Sequence, residues 1–212
     1  MTIALTTAEL EMEAPPRSVP GEIDALTLEA CRRGDRRALR QFVLIYQRPV
    51  FAFIGRMTGR GAHVEDLAQE VFVRAYRALP RFEQRNGARV STWLLKIAVR
   101  LVQDERRKVS PRLVELDDNV LQEPMATASL RPTPETEHRR REIARDFQRA
   151  AEQLSDEQRV VFVLAQFHGL TMTQIAELVG AGENTVKTRL HRARMRLREL
   201  LSEWSTTSGV AK

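Results

Sequence analysis

The chain is predicted to be all-α, with two small helical domains joined by a flexible linker, the C-terminal one a helix-turn-helix. Three observations predict this. Apolar residues recur at helical steps over residues 25–109 and again over residues 136–204. No strand-like alternation of any length interrupts them. Between the two stretches, residues 110–135 lose the periodicity and carry prolines at 111, 124, 132 and 134, as a linker does.

Global composition bounds the function. With 212 residues, 42% of them apolar, the chain has material for one or two domains with real cores. A net charge of +6 and a pI near 10.2 favour a polyanionic partner, without separating DNA from RNA or a membrane surface. One cysteine, Cys31, excludes an internal disulfide and a cysteine-cluster zinc site. Asp117 and Asp118 lie in the proline-rich linker and the four histidines are scattered, so no catalytic residue, metal site or cofactor is expected. No secretory segment and no bilayer-spanning apolar run is found; a cytoplasmic, soluble protein without membrane insertion is expected.

Residues 1–24 form an acidic tail, with Glu9, Glu11, Glu13, Glu22 and Asp24 against Arg17 and prolines at 15, 16 and 20; disorder is expected. In the first domain, Gly34 and Asp35 separate two helices, Asp35 serving as a cap. Leu39, Phe42, Val43 and Tyr46 form an apolar stripe, and Pro49 is expected to open a new helix ending near Thr58–Gly61. A third helix from Val64 to Leu79 sets Leu67, Val71 and Ala75 on one side, and Pro80 stops it. After a loop from Glu83 to Arg89, a fourth helix spans Ser91 to Lys108. Its Trp93, Ile97 and Leu101 are expected to pack inward, with Lys96, Arg100, Arg106, Arg107 and Lys108 outside. Phe82 and Trp93 flank the loop, placing rings beside cations, the equipment for holding single-stranded nucleic acid. A tryptophan at helical spacing is commonly core, so the combination carries the signal.

The second domain opens with a helix from Thr136 to Leu154, and Ser155 with Gln158 forms a capping box for the next. Thr171 and Gln174 form another, ahead of Ile175, Ala176 and Val179. Gly180, Ala181 and Gly182 make a turn. The helix beyond it places Val186, Leu190, Ala193 and Leu197 on one side and Lys187, Thr188, Arg189, His191, Arg192, Arg194, Arg196 and Arg198 on the other. Such a helix can enter a DNA major groove. The alternative is a solvated basic helix in an ordinary bundle. Against it, the cations concentrate after the turn, with only Glu183 and Glu199 nearby. Residues 205–212 are a short tail.

Four segments in register, Asp66–Tyr76 (DLAQEVFVRAY), Ser91–Lys108 (STWLLKIAVRLVQDERRK), Leu154–Leu164 (LSDEQRVVFVL) and Thr185–Leu197 (TVKTRLHRARMRL), resemble a bacterial RNA polymerase sigma factor of the extracytoplasmic-function (ECF) group. The resemblance covers roughly residues 26–108 and 136–201. It implies that residues 25–109 correspond to region 2, which binds core polymerase and recognises and melts the −10 element. Residues 136–204 correspond to region 4, which reads the −35 element as duplex.

The resemblance also implies roles for individual residues. Asp66, Gln69, Glu70 and Arg74, supported by Leu67 and Phe72, would dock on the clamp of the polymerase's largest subunit. Arg89, Ser91, Thr92, Trp93, Lys96, Arg100 and Asp104 are the −10 candidates. Thr185, Thr188, Arg189, His191 and Arg192 would meet the −35 element, with Lys187 and Arg196 on its backbone. Implied partners are core RNA polymerase (clamp of the largest subunit, flap of the second largest), promoter DNA and an anti-sigma factor. The linker would thread the polymerase's active-site and RNA-exit channels, its two arginines outnumbered by Glu115, Asp117, Asp118, Glu123 and Glu135.

Three positions depart from the family pattern. Arg100 stands where Asn is frequent, which removes a bidentate amide and adds charge, favouring backbone clamping over base reading. Asn184 stands where Gly is usual before TVK, and His168 replaces a common Glu before Gly169; the lone histidine is read as structural. Two other classes compete with this reading. A stand-alone helix-turn-helix regulator predicts tight binding to a palindrome, but no dimerisation heptad supports it. A nucleic-acid enzyme lacks the clustered ligands it would need.

Overall fold

The computed structural model describes residues 21–59, 62–83, 89–108 and 147–208. The acidic tail through residue 20, the linker and the first part of the helix expected from Thr136 lie outside the described residues. Eight helices are described: α1 (Ala25–Arg32), α2 (Arg36–Thr58), α3 (Ala62–Ala78), α4 (Val90–Lys108), α5 (147–152), α6 (Asp156–Phe167), α7 (Met172–Val179) and α8 (Glu183–Ser208). A single 3-10 turn, Leu79–Arg81, follows α3 and carries Pro80. Among the described residues there is no strand.

Residues 22–24, which composition places in the tail, belong to the N-terminal domain. Ile23 is buried and its N–H donates to the Tyr46 hydroxyl at 3.1 Å; Asp24 caps α1 by accepting from Thr27 N at 2.8 Å. Asp35 caps α2 as expected, accepting from Ala38 N at 2.8 Å.

Pro49 does not open a helix. It lies inside α2, which runs unbroken for 23 residues. Proline removes one helical hydrogen bond and crowds the preceding turn, at about 3 kcal/mol. The buried face of α2 continues across it through Phe42, Tyr46, Val50, Phe53, Ile54 and Met57. Each such side chain gains roughly 1.5–3 kcal/mol on burial, so packing prevails over the local defect. Gly59, at φ +82°, ends the helix.

In α4 the inward face is wider than the expected one, and Leu101 lies within it as expected. Leu94, Leu95, Ala98, Val99, Leu101 and Val102 are buried, whereas Trp93 and Ile97 are half-buried on its margin. Trp93 rests on Phe82, ring centroids 4.5 Å apart. Leu67, Val71 and Ala75 of α3 face the core as the spacing predicts.

In the C-terminal domain both capping boxes form, Ser155 with Gln158 and Thr171 with Gln174. Gly180 adopts the left-handed conformation at φ +67° that a tight turn requires. Val186, Leu190, Ala193 and Leu197 are buried against the rest of the domain.

The two domains are docked. α6 packs on α2, and α7 packs on α4. The central helix α6 is covered nearly all round, with Arg159 through Leu164 buried. One buried cluster runs from Ile23 to Leu200. The seam holds several cations. Arg159 and Arg106 both donate to the Met57 carbonyl, at 3.0 and 2.8 Å, and Arg106 also pairs with Asp156 at 2.8 Å. Arg56 lies 4.1 Å over the Phe167 ring, and Phe53 meets His168 edge-on at 5.8 Å. Arg106, expected on the basic exterior, is therefore part of the domain contact.

Candidate polymerase- and promoter-binding surfaces

On α3, helical geometry puts Leu67 inward and leaves Asp66, Gln69 and Arg74 exposed, with Glu70 half-buried. Glu70 accepts from Arg74 Nε at 2.7 Å, so these two form one polar unit a turn apart. Phe72 is half-buried and packs edge-on to Phe42 at 6.4 Å. The two rings line an apolar groove with Leu39, Val43, Tyr76 and Leu79. The groove was not legible as a surface from the sequence.

On α4, Arg89, Trp93, Lys96, Arg100 and Asp104 follow steps of three and four and so share one side. Arg100 is exposed and Lys96 half-exposed. Asp104 pairs with Arg107 at 3.6 Å. Thr92 differs from the rest. Its Oγ1 is covered and meets no hydrogen-bond partner among the described residues, so its hydroxyl points away from solvent. Ser91 is engaged by Glu22, which the sequence assigned to the tail: Ser91 Oγ donates to Glu22 Oε1 at 2.5 Å. A contact spanning that many residues leaves no local pattern to read.

On α8, Thr185, Lys187, Thr188, His191, Arg192 and Arg196 are all exposed. They divide by partner. Arg189 is half-buried and bound to Glu157 at 2.7 Å. Arg196 pairs with Glu199 at 3.3 Å. With the Gln166 amide oriented to suit its neighbours, its oxygen accepts from Arg194 at 2.9 Å. Lys187 and Arg192 meet no partner among the described residues. Thr188 folds its hydroxyl back onto the Asn184 carbonyl at 2.9 Å. His191, Arg192, Met195 and Arg196 also wall an open groove against Ser155 and Gln158.

Burial shifts the titratable groups of the seam. Desolvation pushes the Arg159 guanidinium down to about 10, with neighbouring Arg106 acting the same way and Asp156 and Glu152 opposing. His168 is pushed down to about 4 by desolvation first and Arg56 second. Part of His168 touches solvent, but Nε2 is fully covered and has no partner, which accounts for the direction.

Among the described residues no group of side chains could hold a metal ion, and no helix is long and apolar enough to cross a membrane.

Residues 42–112 match the Sigma-70 region 2 family and residues 144–197 match Sigma-70, region 4. The chain is 32% identical over 178 residues to the RNA polymerase sigma-H factor of Pseudomonas aeruginosa, covering 82% of this chain and 91% of that one. It is 32% identical over 181 residues to the ECF RNA polymerase sigma factor SigW of Bacillus subtilis, covering 83% and 95%. The structure is similar to the sigma factor RpoE of Bartonella quintana, solved in complex with the anti-sigma factor NepR. That likeness has a TM-score of 0.60 and 25% identity, over 77% of this chain and 96% of the other. The helical matches, in order and over most of each chain, show that this protein belongs to the ECF group of RNA polymerase sigma factors and acts in promoter-specific initiation of transcription.

Proposed function

We propose that Asp66, Gln69, Glu70 and Arg74 dock on the clamp of the polymerase's largest subunit, with Leu67 and Phe72 supporting that face. The α4 side carrying Arg89, Ser91, Trp93, Lys96 and Arg100 holds the melted −10 strand. The α8 side carrying Lys187, Arg192 and Arg196 meets the −35 duplex, and the C-terminal domain sits on the flap of the second-largest subunit. Polymerase supplies catalysis; this chain supplies promoter choice. It works in the cytoplasm, where an anti-sigma factor covers these surfaces, a reading supported by the Bartonella quintana complex.

The observation that carries this reading is the pairing pattern on α8: beyond a glycine turn, Lys187 and Arg192 stand exposed without partners among the described residues, while Arg189, Arg194 and Arg196 are tied down. Docking of the domains adds a conformational step. The −10 and −35 elements lie about 25 base pairs apart, roughly 85 Å at 3.4 Å per step. Two domains packed α7 against α4 cannot reach both. Polymerase therefore pulls them apart, and the free chain binds promoter duplex weakly. Once held at fixed spacing, two weak readers act with a high effective concentration.

Run-off transcription with sigma-free core polymerase and a library of promoter fragments tests the reading. Initiation at defined sites only when the protein is added, lost in Arg192→Ala and in the Gln69→Ala/Glu70→Ala double variant, is the expected result. No stimulation, with nanomolar binding to a palindrome by the protein alone, would leave the stand-alone regulator.

A further inference from the structure

We propose that Glu22 is a positioning residue for −10 recognition, capping α4 from outside and setting the charge at its start. The inference rests on the reading of α4 as the helix that holds the −10 strand. Arg89 occupies the N-cap position, its carbonyl accepting from Trp93 N at 3.1 Å, but its side chain has no acceptor with which to satisfy the first amides. Glu22 does this instead. Its Oε2 accepts from Val90 N at 3.1 Å and its Oε1 accepts from Ser91 N at 3.4 Å and Ser91 Oγ at 2.5 Å. The carboxylate is itself fixed by the hydroxyl of fully buried Tyr46, which donates to Oε2 at 2.9 Å and accepts from Ile23 N.

Two consequences follow for strand binding. Ser91 is held in one rotamer at the edge of the surface where Trp93 rests on Phe82, so a base placed there meets a fixed polar group. A full negative charge also sits at the positive end of the helix, where a bare N-terminus would attract phosphate. The first amides of α4 are thereby closed to backbone phosphates, which are left to the side chains of Arg89, Lys96 and Arg100. Glu22 lowers affinity for any strand and raises discrimination between strands.

The test uses the full chain assembled with core polymerase and a fluorescent single strand from a promoter recovered by run-off transcription, beside a scrambled strand, over a series of KCl concentrations. In Glu22→Gln, the matched-to-scrambled affinity ratio falls about tenfold, as for loss of one charged hydrogen bond. Binding of the scrambled strand strengthens, and its salt dependence steepens by about 0.7 in log–log slope, one extra phosphate contact on a single strand. Ser91→Ala lowers the ratio but leaves the slope unchanged, since no charge is altered. A wild-type complex that discriminates while Glu22→Gln matches it in ratio and slope overturns the proposal. So does a lost ratio accompanied by an equal loss of affinity for core polymerase, which would mean misfolding. A wild-type complex that does not discriminate strands at all removes the −10 reading, and the proposal with it.

Discussion

Arg159, on the central helix of the C-terminal domain, donates at 3.0 Å to the carbonyl of Met57 at the end of α2 in the N-terminal domain. That carbonyl is among the last four of its helix, which have no partner within it. Arg106 donates to the same oxygen, so two cations converge on the negative end of one helix. Arg159 is buried and has no carboxylate in contact among the described residues; the orphaned carbonyl satisfies it in part, with its Nε left without a partner among them. The contact holds only while the domains are docked.

Arg159→Ala should therefore loosen the docked form more than it harms either domain. A buried hydrogen bond to a charged group contributes about 1.5–3 kcal/mol. Small-angle scattering should show a larger radius of gyration for the variant, with helical content by circular dichroism preserved. Unchanged dimensions would mean that apolar contacts alone hold the seam.

Phe53 should matter more. It is fully buried in α2 and meets His168 across the seam. Phe53→Ala should cost about 3–5 kcal/mol in urea unfolding, the range for deleting a buried aromatic ring. A loss under 1 kcal/mol would mean that the seam collapses around the missing ring.

Acid should open the seam. His168 holds its proton only below about 4 when docked, against an ordinary value near 6.5. The open or unfolded chain takes up that proton first, so this contribution to stability is intact above pH 6.5 and declines as pH falls toward 4. The thermal midpoint should drop across that window, more steeply than in His168→Phe, which keeps a ring against Phe53 and cannot titrate. Parallel profiles would remove His168 as the cause.

What was legible in the sequence is what depends on neighbours along a helix. The caps at Asp35, Ser155 and Thr171, the left-handed Gly180 and the buried row from Val186 to Leu197 are local patterns, and all formed. Pro49 misled because a local penalty was overridden by packing from distant residues. Trp93 and Ile97 pack against the core only in part, because several sides of α4 are apolar and Leu94, Leu95 and Ala98 take the deeper positions. Glu22 on Ser91 and Arg159 on Met57 join residues far apart in the chain, which no periodicity encodes. Arg159 left a faint trace, as a lone charge opening the apolar run Val160–Leu164.

The cations of α8 should not act alike. Arg192 is exposed and unpaired among the described residues, whereas Arg189 is half-buried and held by Glu157 at 2.7 Å. For Arg192, binding DNA breaks nothing, and its whole charge is available for counterion release. For Arg189, contact with DNA means leaving a carboxylate, which offsets much of the gain. In holoenzyme binding to promoter duplex, Arg192→Ala should weaken affinity about tenfold or more and reduce the log–log salt slope by about 0.9, one phosphate on B-DNA. Arg189→Ala should do less at low salt, and Glu157→Gln should strengthen binding by freeing Arg189. If Arg189→Ala proves the more damaging and Glu157→Gln changes nothing, Glu157 aims Arg189 at the DNA, and the ion pair belongs to the bound form.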